Sequence, residues 1–201
     1  MARVYWHTSE DMREVVDKTV TLLLSAAVYL PGKPWEVHRD LYRRVYVEEG
    51  LRVLSTSGYL VTAQTDAYEQ GVVFHKNYLV ARLLVEAGYR LVDTKIWSRR
   101  RSDFFQVPFT QVLVWAPPGS VHTRVAAQRR CREYLEGVWS YPPVTRGRLN
   151  AWPPELCRLL VAAFTEPGDL VVDPFAGTAM VLGVAAGMGR RAVGYEVDES
   201  L

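Results

Sequence analysis

Apolar and polar positions repeat with two different periods along this chain, and the switches between them mark its elements. Seven runs read as strands: "VYW" near Val4, then 19–25, 58–65, 89–97, 111–117, 170–175 and 191–197. Apolar stripes at helical spacing lie between most of them. "SEDMREVVD" opens on Ser9 as an N-cap, "VHRDLYRRVYVEEGLRVL" carries a long stripe, and "HKNYLVARLLVEAG" closes on Gly88 as a C-cap. "PPELCRLLVAAF" begins with prolines suited to a first helical turn, and "AMVLGVAAGMG" supplies the last helix. Strands alternating with helices predict an α/β fold with a doubly wound, mostly parallel seven-stranded sheet covered on both faces.

Composition narrows this without changing it. At 201 residues and 49% hydrophobic content the chain can bury one good core, so a single domain over 1–201 is expected. The run "TVTLLLSAAVYL" is too short for a membrane span and is followed by Pro31 and Gly32. Arg3, His7, Glu10, Asp11 and Arg13 break up the first residues, so neither a leader nor a membrane anchor is expected. Cys131 and Cys157 are the only cysteines and have no metal-like spacing, which suits a cytoplasmic protein with no metal.

The net charge is only +2, yet nine arginines fall in "SRRRSD", "RVAAQRRCREY" and "TRGR". Such clustering suits a phosphate backbone, although solvated helix and loop faces carry arginines too.

The sharpest chemistry is in "DPFAGTAM", between an apolar strand and a helix. Ligands of doubly wound sheets lie beyond the carboxyl ends of the strands, and this turn is such an end. Gly177 allows close backbone approach, and Asp173 can accept hydrogen bonds from a ligand or from turn amides. Glu196 ends the following strand about twenty residues later, where an acidic side chain can take both hydroxyls of a ribose. The spacing favours a nucleoside cofactor over a purely structural turn.

The stretch 150–200, "NAWPPELCRLLVAAFTEPGDLVVDPFAGTAMVLGVAAGMGRRAVGYEVDES", resembles the C-terminal half of the β-class DNA amino-methyltransferases, the N4-cytosine and N6-adenine enzymes. "EDMREVV", "TLLLSAAVY", "LRVLSTSGYLVTAQTD" and "AGYRLVDTKIW" extend the likeness over most of the chain, in a circularly permuted order with the catalytic loop before the cofactor loop. The resemblance implies a Rossmann-like fold, S-adenosylmethionine as cofactor and DNA as partner. It assigns cofactor binding to Asp11, Asp173, Pro174, Phe175, Gly177, Thr178 and Glu196. It makes 99–150 a short, basic target-recognition segment, with Arg99, Arg100, Arg101, Arg124, Arg129, Arg130 and Arg132 on phosphates.

Two departures bear on activity. The second glycine of the family's cofactor loop is Ala179 here. The catalytic loop, in the family Asp or Ser followed by two prolines and an aromatic, reads Ser25-Ala26-Ala27-Val28 with Tyr29 one place late. By the resemblance, Ser25 and the Ala26 carbonyl accept the N–H bonds of an exocyclic amine, and Tyr29 stacks on an extruded base. A first-position serine leans towards cytosine N4. Two readings stay open: an amino-methyltransferase of impaired activity, and a catalytically silent relative that binds nucleic acid or an active subunit. The chain ends just after the Glu196 strand, where the family continues with a helix. A partner is expected to supply that helix, or the face it leaves to self-associate.

Overall fold

The computed structural model describes residues 1–98, 109–121, 131–142, 144–146 and 149–198. The chain starts with β1 (Ala2–Tyr5) and β2 (Val20–Ser25). Helix α1 (Trp35–Tyr42) continues through a π-helical stretch (Arg43–Glu49) into α2 (Gly50–Val53). Next come β3 (Leu54–Gln64), a hairpin of β4 (Ala67–Glu69) and β5 (Val72–Phe74), and α3 (Lys76–Glu86). Strands β6 (Arg90–Ser98), β7 (Phe109–Ala116), β8 (Val138–Ser140), β9 (Val144–Arg146) and β10 (Leu149–Ala151) follow, with one 3-10 turn (Arg132–Leu135) before β8. The chain closes with α4 (Pro154–Phe164), β11 (Leu170–Asp173), α5 (Met180–Gly187) and β12 (Arg191–Tyr195).

Among the described residues the main sheet has eight strands in the order β1-β12-β11-β2-β3-β7-β6-β8. Only β7 runs against its neighbours. All seven expected strands are present, and the eighth, β8, pairs parallel to β6 with Trp97 opposite Trp139. Three residues are too few to show a period, so local pattern held no sign of β8. Segment 99–150 contributes β7 and β8 to the sheet, so part of the expected recognition segment is scaffold.

Strand β2 shows how the two faces arise. Leu22 and Leu24 enter a core shared with α4 and α5, and Leu23 enters one shared with the α1–α2 helix and α3. A strand buried on both sides reads as the continuous apolar run seen in "TLLLS". Gly194 lets α5 sit close on β12: a Cβ there would collide with Leu182 Cδ1 and lie 2.8 Å from Ala176 Cβ. No helix among the described residues is long and apolar enough to cross a membrane.

The first expected helix is absent. "SEDMREVVD" forms turns, and Ser9 is buried rather than capping. Met12 and Val15 are buried, and Arg52 takes the Met12 carbonyl at 2.8 Å and the Val15 carbonyl at 2.9 Å. Glu49 accepts from the Met12 N–H at 2.8 Å. Arg52 and Glu49 thereby satisfy backbone groups of a segment that forms no hydrogen-bonded ladder of its own. The other expected helices form, with Pro154 in the first turn of α4 and Gly88 at φ +84° beyond α3.

Candidate active site

The parallel strands β11, β12 and β2 direct their carboxyl ends to one edge of the sheet, and there the chemistry-bearing residues gather. After Asp173 the chain turns tightly, with Gly177 at φ 49° and Ala179 at φ 55° before α5 begins. Ala179 thus occupies the left-handed region that suits glycine and costs alanine about 1 kcal/mol.

Most of this turn's amides are already used within the protein. Phe175 N–H donates to Asp173 Oδ1 at 3.1 Å, Ala176 N–H to the Tyr195 carbonyl at 2.9 Å, and Ala179 N–H to the Ala176 carbonyl at 2.8 Å. Gly177 N–H donates to Glu196 Oε2 at 2.8 Å. The other Glu196 oxygen accepts from Val197 at 2.8 Å and Asp198 at 3.0 Å. Glu196 therefore ties the glycine turn to the end of β12. A carboxylate has about four acceptor positions, so one lone pair on Oε2 is left for a ligand.

Ala26, Ala151, Trp152, Asp173, Phe175 and Ala176, together with Gly177, Thr178, Met180 and Val181, surround a cavity of about 130 Å³. That is smaller than the roughly 300 Å³ of an ordinary ligand pocket, so it suits one end of a larger molecule. Asp173 is its electrostatic feature. Burial, with a smaller contribution from the Glu196 charge, raises its carboxyl to about 7, against the pull of the Phe175 N–H. Among the described residues it forms no salt bridge, so a buried acid faces the cavity without a cation.

The loop after β2 forms part of the opposite wall. Ala26 reaches the cavity, but its neighbours are engaged elsewhere. Ser25 is buried, with its hydroxyl 3.1 Å from that of Tyr46, whose own ring packs edge-on to Phe175. Tyr29 stacks on His38 with centroids 5.1 Å apart, donates its hydroxyl to Glu69, and lines a separate depression beside the β4–β5 hairpin.

Of the expected site residues, the structure thus brings Ala26, Asp173, Phe175, Gly177 and Thr178 around one cavity, with Glu196 anchoring its turn. Pro174 lies in the turn but not in the wall. Asp11 is on the surface, paired with Arg13 at 2.9 Å. Asp66 accepts from the Asn77 N–H at 3.3 Å and pairs with His75 at 3.0 Å, which places it at the start of α3 and outside the cavity lining. His38 is fully buried. Trp97, Trp115 and Trp139 are buried packing residues. Arg132 is exposed in the 3-10 turn, and Arg99, Arg100, Arg101, Arg124, Arg129 and Arg130 lie outside the described residues. Sequence reasoning missed Trp152. Its one signal was position, an aromatic directly before the prolines that open the helix leading to β11.

Comparison with known proteins identifies the family to which the chain belongs. The family model described as DNA methylase, covering N6 and N4 methyltransferases, matches residues 44–201. Type II methyltransferase M.MthZI of Methanothermobacter thermautotrophicus is 22% identical over 260 residues, spanning 98% of this chain and 73% of that protein. Among solved structures, a candidate DNA modification methylase of Thermus thermophilus, complexed with S-adenosyl-L-methionine, superposes with a TM-score of 0.80 at 24% identity. That match covers 100% of this chain and 91% of the other. The cytosine-N4-specific PvuII DNA methyltransferase gives a TM-score of 0.74 at 18% identity over 98% of this chain and 82% of its own. At such identities the structural likeness establishes the Rossmann-like fold, and the family model establishes descent: the chain belongs to the DNA methylase family of N6 and N4 methyltransferases.

Proposed function

We propose that this protein transfers a methyl group from S-adenosylmethionine to an exocyclic amine of a DNA base, with cytosine N4 favoured over adenine N6. One observation carries the reading: the turn after β11 and Ala26 of the loop after β2 line the same cavity. A cofactor held by the first therefore meets a substrate held by the second.

The residues fit a cationic cofactor. Asp173 is a buried acid without a cation, and ionising it costs less once a positive charge arrives. Phe175 and Trp152 give apolar wall, and Gly177 keeps the turn low. When bound, S-adenosylmethionine supplies an electrophilic methyl group. An exocyclic amine is a weak nucleophile because its lone pair is delocalised into the ring. The Ala26 carbonyl accepts one of its N–H bonds and draws electron density back to the nitrogen. The Ser25 hydroxyl retains acceptor capacity beside its bond to Tyr46 and takes the second N–H. Stacking by Tyr29 requires that ring to leave His38 and Glu69, so it has no part in the resting arrangement. Arg99, Arg100, Arg101, Arg124, Arg129, Arg130 and Arg132 of the segment 99–150 supply phosphate contacts.

A second reading, binding without transfer, has its own observation: the Ser25 hydroxyl is buried against Tyr46, and the Tyr29 ring is engaged by His38 and Glu69 away from the cavity. One experiment separates the two. The purified chain is titrated calorimetrically with S-adenosylmethionine, then incubated with tritium-labelled cofactor and DNA of diverse sequence, and the nucleosides are analysed. Labelled N4-methylcytosine supports the proposal. N6-methyladenine overturns the cytosine preference, and cofactor binding without labelled DNA favours the silent reading.

A further inference from the structure

The loop after β2 lacks the two prolines that stiffen it in the resembling enzymes, yet nearly every residue in it is gripped by a side chain. Three of the grips come from one face of the α1 helix and its π-helical continuation, at positions four residues apart. His38 Nε2 accepts from the Leu30 N–H at 3.0 Å, while its Nδ1 lies 3.1 Å from the Pro34 carbonyl, so the ring presents Nε2 as the acceptor towards the loop. Tyr42 donates its hydroxyl to the Val28 carbonyl at 2.6 Å. The Tyr46 hydroxyl meets that of Ser25 at 3.1 Å.

The opposite side of the loop is held from two other elements. Lys76, at the start of α3, donates to the Ala27 carbonyl at 3.1 Å. Glu69, on the hairpin, accepts from the Tyr29 hydroxyl and from the Gly32 N–H, the latter at 2.8 Å. Burial raises Tyr42 and Tyr46 well above the usual tyrosine range, so both hydroxyls keep their protons at any working pH. Among the described residues no side chain takes the Ala26 carbonyl, and Ala26 is the residue of this loop that lines the cavity.

We propose that His38, Tyr42 and Tyr46 are a ladder of positioning residues which, with Lys76 and Glu69, hold the loop rigid in place of the prolines and leave Ala26 to face the cavity. A ladder of this kind converts a degenerate loop into a preorganised one, since near-attack geometry tolerates little looseness. The consequence for catalysis rests on the methyl-transfer reading above; the clamping of the loop does not.

The test separates the two. Amide hydrogen exchange is followed at Leu30 and Gly32 in the full chain, in the double variant Tyr42→Phe/Glu69→Ala, and in Glu69→Gln. Tyr42→Phe keeps the buried ring and removes only the hydroxyl, and Glu69→Gln keeps an acceptor for Gly32. Exchange in the double variant is expected to rise about tenfold or more, the scale of one lost hydrogen bond, and to stay within about threefold of wild type in Glu69→Gln. In the transfer assay, kcat falls about tenfold in the double variant while KM for S-adenosylmethionine holds, because the cofactor's wall belongs to other elements. Unchanged exchange in the double variant overturns the clamp whether or not the wild-type chain methylates DNA. Faster exchange with kcat unchanged overturns the positioning role. A wild-type chain that transfers no methyl groups refutes the functional reading, and the clamp is then decided by exchange alone.

Discussion

Replacing Asp173 with asparagine isolates the electrostatics of the cavity, because the side chain keeps its shape and its acceptor for Phe175 while losing the charge. Aspartate ordinarily titrates near 3.8, and burial raises Asp173 to about 7. At about 1.36 kcal/mol per pH unit, ionising it in the folded protein costs up to about 4 kcal/mol more than in the unfolded chain. The folded value lies above the unfolded one, so the stability associated with the neutral acid is fully present below about pH 4. It is lost as pH rises, and the whole cost is in place above about pH 7. Asp173→Asn escapes that cost. Urea or thermal unfolding of both proteins at pH 4 and pH 8 should therefore show a variant advantage below about 1 kcal/mol at the lower pH. At the higher pH it approaches about 4 kcal/mol, or roughly 10 °C in Tm. Calorimetry on the same samples should show weaker binding of the cationic S-adenosylmethionine by the variant. An advantage that does not change between the two pH values, or a less stable variant at pH 8, would refute the reasoning.

Three further outcomes follow from local geometry and charge. Ala179→Gly relieves a left-handed alanine at φ 55° and should raise stability by about 1 kcal/mol in chemical denaturation; no gain would mean that the turn is not strained there. Gly194→Ala drives a methyl group into Leu182 Cδ1 and should lower stability by about 1 to 3 kcal/mol, with a neutral result showing that α5 shifts freely on β12. Neutralising Arg99, Arg100 and Arg101 together should weaken DNA binding and reduce the slope of log affinity against log salt by about 3, and an unchanged slope removes these residues from the interface.

Much of the architecture was legible in the sequence because it rests on local period. A strand buried on both faces is a continuous apolar run, as in 19–25 and 170–175, and a helix packed on one face shows its stripe, as in 37–54. The glycine turn was legible for the same reason: a strand, a turn and a helix in immediate succession leave few conformations for the residues between. The likeness of 150–200 to the amino-methyltransferases then named the cofactor.

Side-chain commitments were not legible, since each depends on a partner remote in the chain. Tyr29 is held by Glu69, forty residues on, and the Met12 carbonyl by Arg52, again forty residues away. Local pattern made 9–17 a helix, and tertiary hydrogen bonding made it a set of turns. Glu196 sits at the predicted strand end, but only the fold shows both its oxygens drawn to backbone amides. Residue pattern was enough to say which elements form and which edge of the sheet carries the chemistry, because periodicity and turn residues act over a few positions. That Ser25 and Tyr29 are engaged by other side chains while Ala26 lines the cavity is set by packing between distant parts of the chain, because His38, Tyr42, Tyr46, Glu69 and Lys76 close on the loop from three separate elements.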